Sequence, residues 1–116
     1  MLCAKEETNV IYELRTYEPM PGKMPALNKR FADITIGYFE KHGIKVVGFW
    51  TEVVGQSNKL IYMLGFNDWA HRDTAWAAFV ADQGRAAAFA ETEKDGLLVH
   101  HTENRILRPT AYSPMQ

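Results

Sequence analysis

The chain carries a single cysteine, Cys3, in 116 residues. An internal disulfide is therefore impossible, and with no histidine close to it in sequence the thiol reads as incidental rather than nucleophilic. Reducing surroundings are the default for such a chain, so a cytoplasmic location is expected. Charge of one sign is missing too: 13 Lys and Arg against 14 Asp and Glu leave a formal net charge of −1. The basic residues are spread singly, with no run that would gather phosphates, which argues against nucleic acid as the main partner. No apolar run approaches the roughly 20 residues that a bilayer-spanning helix requires. The first residues, MLCAKEETN, lack the basic-then-apolar pattern of a secretory signal. A Gly-rich phosphate loop, a GxSxG motif and a CxxC motif are all absent, and no cofactor is expected. His42, His71, His100 and His101 show no ligand spacing, so no metal site is expected either.

What is present is strong periodicity. The length suits one domain, taken as residues 9–108, after a flexible segment 1–8 and before a tail 109–116. Asn9 to Glu18, NVIYELRTYE, reads as a strand at the centre of a sheet, with Glu13 and Arg15 two apart and so on one face. Pro19-Met20-Pro21-Gly22 ends it. Met24, Leu27, Phe31, Ile34 and Tyr38 then make one stripe of an amphipathic helix that runs from Gly22 to a stop at His42-Gly43. Ile44–Val53 and Lys59–Phe66 form a hairpin around Gly55-Gln56-Ser57-Asn58. A helix capped by Asp68 carries Trp69, Trp76, Phe79 and Val80, breaks at Asp82-Gln83-Gly84, and resumes from about Arg85 to Lys94. Leu97 to Leu107 is the last strand.

Strand, helix, strand, strand, helix, strand with right-handed crossovers predicts an α+β, ferredoxin-like βαββαβ fold: an antiparallel four-stranded sheet with helices on one face. Both hairpin strands are apolar on both faces, yet the chain has too few helices to cover two. A second copy packed on the uncovered face, making a dimeric α+β barrel, is the expected partner.

The residues also resemble the NIPSNAP family. Tyr12-Glu13-Leu14-Arg15-Thr16-Tyr17 is similar to that family's opening strand, and Pro21-Gly22 precedes the first helix as it does there. Arg72, Trp76, Phe79 and Asp82 resemble its second helix, and Leu107 to Pro114, LRPTAYSP, its C-terminal segment. The resemblance spans about residues 10 to 114. It implies the same ferredoxin-like fold and dimeric barrel, and it implies no catalytic motif to carry over.

Two functions are compatible with this pattern. One is a binding protein for a small apolar molecule or a protein partner, favoured by the lack of a catalytic motif. The other is a cofactor-independent enzyme, monooxygenase-, dehydratase- or isomerase-like, acting on a small aromatic or carbonyl compound. For the second, Glu13 as base and Arg15 as holder of a substrate oxygen would share a face with His101, if the last strand neighbours the first. Tyr17, Trp50, Tyr62 and Trp76 are the candidate pocket-lining residues.

Overall fold

The computed structural model describes residues 9–116, so Cys3 and the segment expected to be flexible lie outside the described residues. Strand β1, Ile11–Pro19, leads into a turn where Gly22 takes φ 77°, a left-handed conformation that glycine adopts freely. Helix α1, Met24–Arg30, has Pro25 in its first turn, where the missing N–H costs nothing. It continues without a break through a π-helical turn, Phe31–Thr35, into α2, Ile36–Lys41. At the end of α2 the Ile44 N–H donates to the Phe39 carbonyl at 2.9 Å, and Gly43 at φ 70° lets the chain turn back.

Strands β2, Lys45–Thr51, and β3, Leu60–Phe66, form the hairpin, with a bulge in β2 between Val46 and Gly48. Asp68 caps α3, Trp69–Ala81, by accepting from the His71 N–H at 2.7 Å. The expected break falls at Asp82, whose extended backbone ends α3 and whose carboxylate accepts from the Arg85 N–H at 3.1 Å to start α4, Gln83–Thr92. Strand β4, Val99–Leu107, closes the sheet. The strand order is β2-β3-β1-β4, antiparallel throughout, with β1 between β3 and β4 as the topology required.

The helices cover one face only. Under them lie Ile11 from β1 and Leu60, Tyr62, Leu64 and Phe66 from β3, packed against Leu27, Phe31, Phe39 and Phe79. Burying each such side chain contributes about 1.5–3 kcal/mol. On the open face Trp50 (51% exposed), Ile61, Met63, Leu14 and Leu107 form an apolar band. This is the second apolar face that the hairpin sequence announced. At one end of that face the Tyr12 hydroxyl donates to the Gln116 carbonyl at 2.6 Å, so the tail returns to its own chain. Among the described residues no helix is long and apolar enough to cross a membrane.

The π turn departs from the single α-helix that the stripe predicts. Ile36 N–H reaches the Phe31 carbonyl, five residues back, which inserts one residue into the helical repeat. The buried positions after Phe31 are therefore Thr35 and Phe39, one place later than the expected Ile34 and Tyr38, which are only half-buried. The α3 stripe also shifts: Ala75 and Phe79 are buried, while Trp69 and Val80 are exposed.

Candidate functional site

Strand alternation places Glu13, Arg15 and Tyr17 on the face of β1 that looks toward the helices, because each pairs across β3 with Leu64, Tyr62 and Leu60 in turn. Glu13 is completely buried. Its Oε2 accepts from Arg15 Nη1 at 2.7 Å, and its Oε1 from Arg72 Nε on α3 at 2.8 Å. Arg15 in turn donates from Nε to the Tyr62 hydroxyl at 2.6 Å and from Nη2 to the Tyr17 hydroxyl at 3.1 Å. With the Asn104 amide turned to satisfy both of its ends, its oxygen accepts from Arg15 Nη1 at 2.8 Å. The Trp76 ring covers the guanidinium, 4.6 Å from Arg15 Cζ to the ring centre. Burial alone would lower Arg15, but Tyr62, Tyr17 and Glu13 outweigh it and hold the guanidinium above its ordinary value. Burial pushes the Tyr62 hydroxyl well up, so it keeps its proton.

That proton has one destination. The Tyr62 oxygen accepts from Arg15, and its hydroxyl donates to the Tyr17 oxygen at 3.0 Å. Tyr17 thus accepts two hydrogen bonds, from Tyr62 and from Arg15, which uses both lone pairs of its oxygen. Among the described residues its own hydroxyl proton has no acceptor, so it is left to donate elsewhere, polarised by the cation behind it.

Tyr17 and Tyr62 border a cavity of about 170 Å³ between the sheet and the helices. Phe31, Phe39, Trp76, Phe79 and Phe89 supply its rings, and Val80, 53% exposed, stands at its mouth. Thr35, from the π turn, adds a hydroxyl. Two cations line it: Arg30 from the end of α1, and Arg85 from α4. Among the described residues no group of three or more His, Cys, Asp and Glu is placed to hold a metal.

The structure does not bring the expected catalytic trio together. Glu13 and Arg15 face the helices, but they sit behind Tyr17, Tyr62 and Trp76 rather than at the cavity wall. With both carboxylate oxygens taken by guanidinium donors, Glu13 is a structural clamp and not an available base. His101 pairs with Glu18, whose parity on β1 is opposite to that of Glu13 and Arg15. It therefore lies exposed on the open face, 3.5 Å from Glu103. Of the four expected pocket residues Tyr17, Tyr62 and Trp76 line the cavity. Trp50 does not: it pairs with Ile61 on the open face, with its neighbour Phe49 turned inward to stack on Tyr62 at 4.9 Å. Arg30 and Arg72 also belong to the network, and their only mark in the sequence is that each follows an apolar residue of its helix by three positions, Leu27 and Trp69.

Comparison with known proteins bears on the fold more than on the chemistry. The model of the NIPSNAP family matches residues 12–114. A NIPSNAP family protein of unknown function from Agrobacterium tumefaciens has a crystal structure similar to this chain at a TM-score of 0.84 and 25% identity, over 96% of this chain and 97% of that one. An uncharacterised NIPSNAP-like domain protein from Burkholderia xenovorans superposes at 0.82 with 20% identity, over 93% and 91%. SnoaB, a cofactor-independent oxygenase from Streptomyces nogalater, shares the fold at 0.63 with 14% identity, over 91% and 98%. No curated protein matches the sequence.

Proposed function

We propose that this chain, which belongs to the NIPSNAP family, is a small-molecule binding protein. Its site is the ring-lined cavity, and it works as a pair of identical subunits joined through their open sheet faces. The observation that carries the reading is a cavity of about 170 Å³ walled by aromatic rings, with the uncommitted Tyr17 proton at its edge. Binding sites combine an apolar concave wall with a few placed polar groups in this way. The size bounds the occupant, since a cavity of roughly 150 Å³ with apolar walls takes up a single benzene ring.

The pairing of subunits is supported by the band of Trp50, Ile61, Met63, Leu14 and Leu107, which a lone protomer would leave in water. Sedimentation of the purified chain is expected to give a dimer, and Trp50→Glu a monomer. A wild-type monomer at low concentration would refute that part. For the cavity, the midpoint of thermal unfolding is expected to rise with single-ring compounds such as toluene and phenol. The rise is expected to vanish in Val80→Trp, which blocks the mouth at an exposed position. A flat response to every single-ring compound, or an unchanged rise in Val80→Trp, would overturn the reading.

A second reading, a cofactor-independent enzyme on a small aromatic or carbonyl compound, is favoured by the Tyr17 hydroxyl. A donor already fixed by Arg15 and Tyr62 is suited to stabilise negative charge developing on a substrate oxygen. Tyr17 would touch the substrate; Arg15 and Glu13 would position it. Tyr17→Phe is then expected to abolish turnover while leaving toluene binding intact.

A further inference from the structure

One of the two cations at the cavity wall is left unsatisfied. Arg30 is 7% exposed, and its Nε is fully buried with no hydrogen-bond partner among the described residues. Its remaining contacts are long: Nη1 lies 3.4 Å from the Thr92 hydroxyl and 3.6 Å from Glu93 Oε2. Phe89 covers one face of the guanidinium at 4.6 Å. Burial pulls Arg30 below its ordinary value, and Glu93 restores it only in part. A buried cation with a free N–H and a distant counter-charge is a group that a bound anion would complete.

The surroundings say on which side the anion belongs. On its outer side Arg30 borders a cleft where Lys29 and Lys94 are already paired with Asp33 and Glu91, at 2.7 and 3.0 Å, and where Asp95 adds a negative charge. Among the described residues the inner cavity is lined by Arg30 and Arg85 and by no Asp or Glu. Arg85 spends two of its five N–H donors on backbone carbonyls, from Nε to Phe79 at 2.8 Å and from Nη2 to Val80 at 3.1 Å, and adds to the positive field of the cavity. The π turn begins at the residue after Arg30, and Thr35 within it donates back to the Arg30 carbonyl at 3.4 Å. Irregular turns of this kind concentrate at binding sites.

We propose that Arg30 anchors an anionic oxygen and that the occupant of the cavity is a carboxylate carried on a single aromatic ring. The carboxylate would accept from Arg30 Nε and from the Tyr17 hydroxyl, and the ring would pack among Phe39, Trp76 and Phe79. This assignment rests on the cavity being a binding site, and its test separates the two ideas. The full-length protein is titrated by calorimetry with benzoate, with its neutral isostere benzamide, and with toluene. Benzoate is expected to bind at least tenfold more tightly than benzamide. Arg30→Met is expected to remove that preference, benzoate and benzamide then binding alike. Arg30→Lys, which keeps the charge but not the Nε donor, is expected to retain part of it. Equal binding of benzoate and benzamide to the wild-type protein would overturn the anion assignment and leave the cavity reading standing, without reference to any variant. Binding of none of the three would overturn both.

Discussion

Replacing Glu13 by Gln is the sharpest perturbation of the sheet–helix seam. The carboxylate has no exposure, and it accepts from Arg15 Nη1 at 2.7 Å, from Arg72 Nε at 2.8 Å and from Arg72 Nη2 at 3.4 Å. Glutamine keeps the volume but turns one oxygen into an NH₂ that must face guanidinium donors. Removing one member of a buried ion pair costs about 3–5 kcal/mol, because the other charge stays behind uncompensated. Arg72 is 22% exposed at its side chain and regains some water, so the expected loss lies toward the lower end, about 3 kcal/mol. That is a large share of the roughly 5–15 kcal/mol that holds a domain together. At about 4 °C or more per kcal/mol for a chain of this size, the midpoint should fall by about 12 °C or more. Equilibrium urea unfolding of both proteins measures the loss directly, provided the slope with denaturant is unchanged. A loss under about 1 kcal/mol would mean that the arginines are satisfied without the carboxylate, and the clamp described above would be wrong. Adding Arg15→Met to Glu13→Gln should cost less than the sum of the two single changes, since the partner left stranded by the first is removed by the second.

Asp82 is held well below the usual carboxylate range by hydrogen bonds from Lys41 and His42 and by the Arg85 N–H. A depressed folded value stabilises the fold above the ordinary carboxylate pKa of about 4, and the contribution is lost as pH falls below it. The stability gap between wild type and Asp82→Asn should therefore shrink on acidification from about pH 5 to pH 2, and a constant gap would refute the linkage. Gly43→Ala is expected to cost about 1 kcal/mol through its φ of 70° alone, since nothing lies within 4 Å of the added Cβ; denaturant unfolding that shows no loss would contradict this. Deleting Ala32, an exposed residue of the π turn, should return the segment to α-helix by circular dichroism and abolish benzoate binding. Undiminished binding would show that the turn does not shape the site.

The strand and helix order was legible because period-2 and period-3.6 patterns do not depend on tertiary context. So was the uncovered apolar face, because Trp50 and Ile61 alternate with Phe49 and Tyr62, and both sets are apolar. The π turn was not. Phe31–Thr35 holds neither Gly nor Pro, and the helix offers two apolar phases beyond it, Ile34 with Tyr38 or Thr35 with Phe39. A strict 3.6 repeat selects the first, and packing against Tyr62 and Phe79 selects the second, with Phe39 ring centres 6.1 and 4.9 Å from theirs. The energy of burying Phe39 in that ring cluster outweighs one irregular turn of hydrogen bonds.

For the site, alternation told that Glu13, Arg15 and Tyr17 share a face, and it could not say which, because Tyr12 and Leu14 make the other face equally apolar. His101 required the register of β4, which shifts between Glu18 and Pro19 and cannot be read from one strand. Arg30 required something subtler: an acceptor count. Arg15 stands out in the sequence, yet four of its five N–H donors are taken among the described residues, by Glu13, Asn104, Tyr62 and Tyr17. Arg30 looks like any basic residue in the last turn of a helix, yet it is as deeply buried with a bare Nε and two contacts of 3.4 and 3.6 Å. Burial turns missing acceptors into a free-energy cost, and a cost of that kind is what a ligand relieves. The conspicuous ion pair is therefore the part of this network that structure alone explains, and the inconspicuous arginine is the part that calls for an occupant.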